Sequence, residues 1–129
     1  MSRRDAIEDL VRRELGCTCP AEVFEHIEEG PAQLAGLAHP GRRIAVGGRL
    51  LIYVLNTDDM DLAWEQLPHW LAAGRAERDA AAMNRLRLVV ITSNPDALGP
   101  ALKARFDALP DRDERTHLHV LPPSALSGL

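Results

Sequence analysis

The sequence has little cysteine, almost no lysine and no long apolar run. No stretch of about 20 apolar residues occurs and no apolar signal segment follows Met1, so we expect a soluble cytoplasmic protein without a membrane partner. Only two cysteines are present, and in the reducing cytosol such a pair rarely serves as a structural staple. Of the fifteen basic residues, fourteen are arginine and only Lys103 is lysine. This bias fits genomic base composition better than recognition chemistry.

The short motifs that mark common enzyme classes are also absent. The sequence contains no Gly-rich phosphate loop, no His-Glu-x-x-His helix and no Gly-x-Ser-x-Gly elbow. Its net charge of -4 disfavours binding to phosphate backbones, so we expect no nucleic-acid partner. The sequence identifies no cofactor.

The apolar pattern predicts a single α/β domain, which suits a length of 129 residues. Two N-terminal helices are followed by a β-hairpin and two β-α-β crossovers, and the strands form a mixed four-stranded sheet in the order 1-2-3-4. The pair Gly47-Gly48 permits the tight turn of the hairpin. Leu50 to Leu55 is apolar on both faces and predicts a central strand. Further strands are predicted at Arg87 to Ile91 and, near an edge, at Thr116 to Leu121.

The N-terminal third is predicted to be helical and then irregular. Apolar residues keep helical spacing from Arg4 to Leu15. A second helix is predicted to begin with Cys19 as its cap, Pro20 at its first position and Glu22 completing a capping box. The stretch from Glu28 to Gly41 is rich in Gly and Pro and is predicted to be a loop.

The link Cys17-Thr18-Cys19 between these two predicted helices carries the most informative chemistry. At a helix N-cap, Cys19 would have a lowered thiol pKa, which makes it the nucleophile or first metal ligand, with Cys17 as the resolving thiol or second ligand. A disulfide between residues two apart is expected to be strained and easily reduced, which suits redox chemistry better than a structural role.

Two other interpretations of the pair remain open. The thiolates would be half of a metal or iron–sulfur site, completed by outside ligands or by a dimer. Alternatively, the cysteines pack as small apolar side chains. We predict a small accessory protein that uses the Cys-x-Cys thiolates for redox chemistry, sulfur transfer or the binding of a metal or iron–sulfur cluster.

Histidines on the last predicted strand are candidate metal ligands. His117 and His119 lie two residues apart and therefore project to one face. They would bind a metal together, or with Cys17 and Cys19 if the fold brings the two pairs close. A solvated edge face is the competing explanation.

Polar residues follow two of the predicted strands where a ligand commonly binds in parallel α/β sheets. If the strands pair, their ends form one cluster that would hold a divalent cation or a phosphate group. Ordinary helix capping is the competing explanation. The candidate binding residues are Thr57, Asp58, Asp59, Ser93 and Asn94.

The two tryptophans suggest an alternative function without chemistry. Trp64 and Trp70 lie six positions apart on one predicted helix, so they do not share a narrow stripe and one is a candidate for exposure. An exposed tryptophan favours a partner surface, either for another protein or for a homodimer. The alternative function is therefore a non-catalytic interaction subunit.

Overall fold

The computed structural model describes residues 3–32, 34, 41–126 and 129. Its centre is a mixed sheet in which five strands follow one another in sequence order. The first strand pairs antiparallel with the second and the second with the third, whereas the third, fourth and fifth run parallel. The strands are β1 (Ile27–Ala32), β2 (Gly41–Val46), β3 (Leu50–Asn56), β4 (Arg85–Ile91) and β5 (Thr116–Leu121). The α/β class and the mixed sheet are confirmed, but the strand number of four is wrong.

Helices cover both faces of this sheet. The crossover helices α2 (Met60–Ala80) and α3 (Pro95–Asp107) pack on one face through residues such as Trp70 and Phe106. The N-terminal helix α1 (Arg3–Asp9) continues into a π-helical segment, Leu10–Glu14, and packs on the other face. Each strand supplies both cores because successive side chains point to opposite faces.

The predicted second helix and the predicted loop are both wrong. A 3-10 helix forms only at Ala21–Glu25, its N-cap is Pro20, and the chain is extended again at His26. The residues that follow form β1, which pairs along its whole length with β2. Pro31 is tolerated there because β1 is an edge strand. Only Ala32 of β1 is buried, and Gly30 and Pro31 interrupt any apolar alternation, which is why the sequence pattern missed this strand. Residues 33 and 35–40 of the predicted loop lie outside the described residues.

The predicted hairpin between β2 and β3 is confirmed. Gly47 has φ +61° and Gly48 has φ +64°, so both central residues of the turn occupy the left-handed region. A Cβ atom on Gly47 would lie 2.7 Å from Cβ of Val23 in the 3-10 helix, whereas a Cβ atom on Gly48 would meet nothing within 4 Å. The turn is therefore packed against the segment that follows the cysteines.

This difference between two neighbouring glycines gives a test of the packing. Gly48→Ala is expected to cost about 1 kcal/mol of unfolding free energy from the left-handed backbone alone. Gly47→Ala carries the same cost and also displaces Val23, so we expect a loss of about 3 kcal/mol. Urea unfolding of both variants measures the difference. Equal losses would contradict the close contact with Val23.

Candidate functional site

The cysteine link is held over one face of the sheet by contacts at both of its ends. Gly16, with φ +70°, turns the chain after the N-terminal helix, and the backbone N–H of Cys17 donates to the carbonyl of Val11 at 3.1 Å. Beyond the 3-10 helix, the N–H of Gly47 donates to the carbonyl of His26 at 2.7 Å. The link is thereby fixed between the N-terminal helix and the β2–β3 turn.

Cys17 and Cys19 form a disulfide, with their Cα atoms 5.5 Å apart. Both side chains are half-buried and pack against the core on the N-terminal side of the sheet. Cys19 does not cap an α-helix, since the short 3-10 helix begins at Ala21 after Pro20. The helix-dipole argument for a lowered Cys19 pKa is therefore wrong, and the chemistry of the pair depends on its other neighbours.

Those neighbours form a cavity of about 340 Å³ beside the disulfide. The cysteine link forms one wall, and strands β2 to β4 with their connections form the other. Three arginines line the cavity, and no Asp or Glu is among the lining residues. The lining residues are Gly16, Cys17, Thr18, Cys19, Pro20, Val23, Val46, Arg49, Leu50, Asn84, Arg85 and Arg87.

Arg87 is the unusual member of this wall because its charge is buried without an anion. Its side chain is only 9% exposed, and its Nε atom has no hydrogen-bond partner among the described residues. Burial, followed by repulsion from Arg85, lowers the pKa of Arg87. By contrast, Arg78, which is 1% exposed, hydrogen bonds to Asp79 and, with two nitrogens, to both carboxylate oxygens of Asp113.

The two candidate histidines on β5 are partners of the arginines on β4. Arg85 Nη1 lies 3.1 Å from Nε2 of His117, and Arg87 Nη1 lies 2.9 Å from Nε2 of His119. A guanidinium only donates, so Nε2 of each ring is the acceptor. Burial, then the charge of Arg87, lowers the pKa of His119 to about 4 and lowers that of His117 as well. His119 is therefore neutral at pH 7 and gives Arg87 no countercharge.

The structure does not bring the histidines and the cysteines into one set of ligands. Neither histidine lines the cavity beside the disulfide. Within the described residues, no group of three or more His, Cys, Asp or Glu side chains is placed to hold a metal ion. Metal binding by Cys17, Cys19, His117 and His119 stays a prediction.

The predicted cluster at the strand ends is assembled, and most of its polar atoms serve the fold. Asp58 Oδ1 accepts from the hydroxyl of Thr92 at 2.9 Å and from the N–H of Ser93 at 2.8 Å, which lowers the Asp58 pKa. Asp59 caps α2 by accepting from the N–H of Leu62 at 3.0 Å, and its own N–H donates to Thr57. The competing explanation, ordinary helix capping, is confirmed for Asp59.

A second cavity of about 340 Å³ opens beside these strand ends. Its lining includes Thr57, Asp58 and Ser93 but neither Asp59 nor Asn94. Asn94 is the N-cap residue of α3 and makes no side-chain capping bond. The binding of a ligand at this cluster stays a prediction.

The tryptophans differ in exposure as predicted. Trp70 is fully buried, whereas Trp64 is 42% exposed. The guanidinium of Arg105 lies 4.8 Å from the ring centroid of Trp64, and its Nε donates to the Trp64 carbonyl at 2.6 Å. Part of the exposed ring is thus covered within the chain.

Sequence reasoning missed the three arginines of the cavity. Arg85 and Arg87 alternate with Leu86 and Leu88 on β4, a spacing that places both guanidinium groups on one face. That alternation was the available signal. Their position beside the cysteines depends on how the N-terminal link crosses the sheet, which the spacing does not encode.

Comparisons with protein-family models, with curated protein sequences and with solved structures gave no match for this chain. Among the described residues, no helix has the length and apolar character needed to cross a membrane. The functional argument therefore depends on the site itself.

Proposed function

We propose that this protein exchanges electrons with small thiols and disulfides through Cys17 and Cys19. One observation carries the proposal: the Cys17–Cys19 disulfide borders a cavity that is lined by three arginines and by no carboxylate. A thiol near guanidinium groups ionises more readily, and the thiolate is the form that attacks disulfides. Redox use is favoured over metal binding because no third ligand accompanies the pair among the described residues.

The reaction runs through a mixed disulfide. In the reduced protein, one cysteine thiolate attacks a sulfur of the substrate disulfide, the substrate S–S bond breaks, and one substrate thiolate leaves. The second cysteine, as a thiolate, attacks the protein sulfur of the mixed disulfide, which closes the Cys17–Cys19 bond and releases the second substrate thiolate. Two electrons pass from the cysteines to the substrate. The two cysteines lose two protons, and the two substrate thiolates take up two protons. A dithiol reductant reopens the protein disulfide.

The proposal predicts reversible reduction and a reactive thiol. The protein is equilibrated with mixtures of reduced and oxidised dithiothreitol, and its thiols are counted by alkylation and mass spectrometry. We expect one two-electron transition. At pH 7, iodoacetamide should alkylate the reduced native protein about fivefold faster than the protein in urea, since nearby guanidinium groups favour the reactive thiolate.

The redox role would be contradicted if iodoacetamide alkylated the native protein no faster than the protein in urea. It would also be contradicted if dithiothreitol reduced the disulfide only after the protein had unfolded. The alternative function would then be the non-catalytic interaction subunit. It is supported by the 42% exposure of two large apolar side chains on α2, Met60 and Trp64. The variant in which Cys17 and Cys19 are both replaced by Ser is the blank for the thiol count.

A further inference from the structure

We infer that the substrate of this site is a small disulfide or thiol that carries carboxylate groups, and that Arg87 binds one of those carboxylates in the cavity beside Cys17 and Cys19. The inference rests on the proposed redox function, because it names the substrate class of the same site. It nevertheless makes a binding claim that is measurable without any thiol chemistry.

The buried charge of Arg87 is the first step of the argument. A buried ion is costly unless an opposite charge and hydrogen bonds compensate for it. Arg78 shows how this fold meets that requirement, with Asp113 and Asp79 as partners. Arg87 has only the neutral acceptor His119 and makes no ion pair with a carboxylate of the described residues. A bound anion would supply the missing countercharge.

The composition of the cavity wall is the second step. Arg49 and Arg85 are exposed arginines that line the same cavity as Arg87. Three positive charges with no lining carboxylate attract an anion and repel a cation. The guanidinium group matches the planar geometry of a carboxylate and can donate two parallel hydrogen bonds to it.

The size and position of the cavity are the third step. A volume of about 340 Å³ is in the range of small-ligand sites. Because the disulfide and Arg87 line one cavity, a substrate whose carboxylate lies a few bonds from its sulfur can reach both. The bound anion thereby holds the substrate sulfur beside the protein thiolate, which raises the rate of exchange.

The first experiment compares three short disulfides that differ in charge. The reduced full-length protein is mixed with 3,3′-dithiodipropionate, 2-hydroxyethyl disulfide or cystamine, and each rate is divided by the rate of the same disulfide with 2-mercaptoethanol. We expect the anionic disulfide to react about tenfold faster than the neutral one at low ionic strength, and the cationic one to be slowest. Added salt should reduce this preference, because it screens the charges.

Variants assign the preference to Arg87. Arg87→Met is expected to reduce the ratio of the anionic rate to the neutral rate to about 2 or less, whereas Arg112→Met, an exposed arginine outside the cavity, should keep it. Arg87→Met removes an unpaired buried charge, so the fold is not expected to suffer. Arg87→Lys keeps the charge without the planar fork and should give an intermediate ratio.

The second experiment separates the inference from the redox proposal. Suberate has the length of 3,3′-dithiodipropionate but no disulfide, and its binding to the oxidised protein is measured by calorimetry, with 1,8-diaminooctane as the cationic control. Binding of suberate that Arg87→Met weakens at least tenfold supports the anion site even if no disulfide reacts. Equal normalised rates for the three disulfides, together with no suberate binding, would overturn the inference and leave the redox proposal standing.

Discussion

Asp113→Ala is expected to lower the free energy of unfolding by about 3 kcal/mol, because it leaves the charge of Arg78 buried with one partner fewer. Arg78 is 1% exposed, and its Nη1 and Nη2 donate to the two carboxylate oxygens of Asp113 at 3.1 and 2.7 Å. For a chain of 129 residues the loss corresponds to a fall in Tm of about 10 °C. Thermal unfolding followed by circular dichroism measures it.

Two control variants show whether the buried charge is the cause. Lys103 and Asp107 form an exposed ion pair on α3, so Asp107→Ala should change stability by less than about 0.5 kcal/mol. The double variant Arg78→Met, Asp113→Ala should be more stable than Asp113→Ala alone, since it removes the uncompensated charge. A double variant that is less stable than Asp113→Ala would contradict this explanation.

The same ion pair gives the protein a stability that depends on acid. Hydrogen bonds from Arg78 lower the pKa of Asp113 from 3.8 to about 2. A carboxyl group whose pKa is depressed by folding stabilises the native state above its unfolded pKa, and this contribution is lost as pH falls through the folded value. With solvent screening allowed for, we expect a loss of about 1 to 2 kcal/mol between pH 4 and pH 2. Urea unfolding at these two pH values should show a smaller fall in Asp113→Ala.

Replacing either cysteine alone is expected to lower the turnover of a disulfide substrate by about 100-fold. Turnover with dithiothreitol as reductant requires the second cysteine to resolve the mixed disulfide, and an intramolecular thiol does this far faster than a dissolved one. The helix cap that favoured Cys19 as the nucleophile is absent, so the single variants decide the two roles. If Cys19 attacks first, Cys17→Ser should accumulate a mixed disulfide at Cys19, and Cys19→Ser should react more slowly at its first step.

Mass spectrometry measures this result directly. A stoichiometric adduct of one substrate half on Cys17→Ser supports Cys19 as the nucleophile, whereas an adduct that forms faster on Cys19→Ser would reverse the two roles. Arg112→Met keeps both thiols and should keep turnover within about threefold, since it changes an exposed side chain outside the cavity. Turnover that stays near the wild-type rate in both single-cysteine variants would exclude a mechanism with a resolving thiol.

Local patterns in the sequence determined the central part of the fold. Gly47-Gly48 specified the hairpin because left-handed backbone is accessible to glycine. The apolar strand from Leu50 to Leu55 and the helices after it were predictable from the spacing of their apolar residues, and Asp58 or Asp59 was identifiable as a helix cap. The cysteines were identifiable as candidates because they lie two residues apart in one short link.

Only the tertiary structure decided what surrounds those cysteines. The edge strand Ile27–Ala32 forms through backbone pairing with β2 and buries only Ala32, so its own side chains give little signal. From the sequence alone, Arg87 is only a charged residue at the start of a predicted strand. It becomes a buried cation beside the disulfide because the N-terminal link folds back across β2 to β4. Arg87 and the two cysteines lie about seventy positions apart in the sequence. Their proximity depends on the packing of several elements against one another, so no single segment of the sequence predicts it.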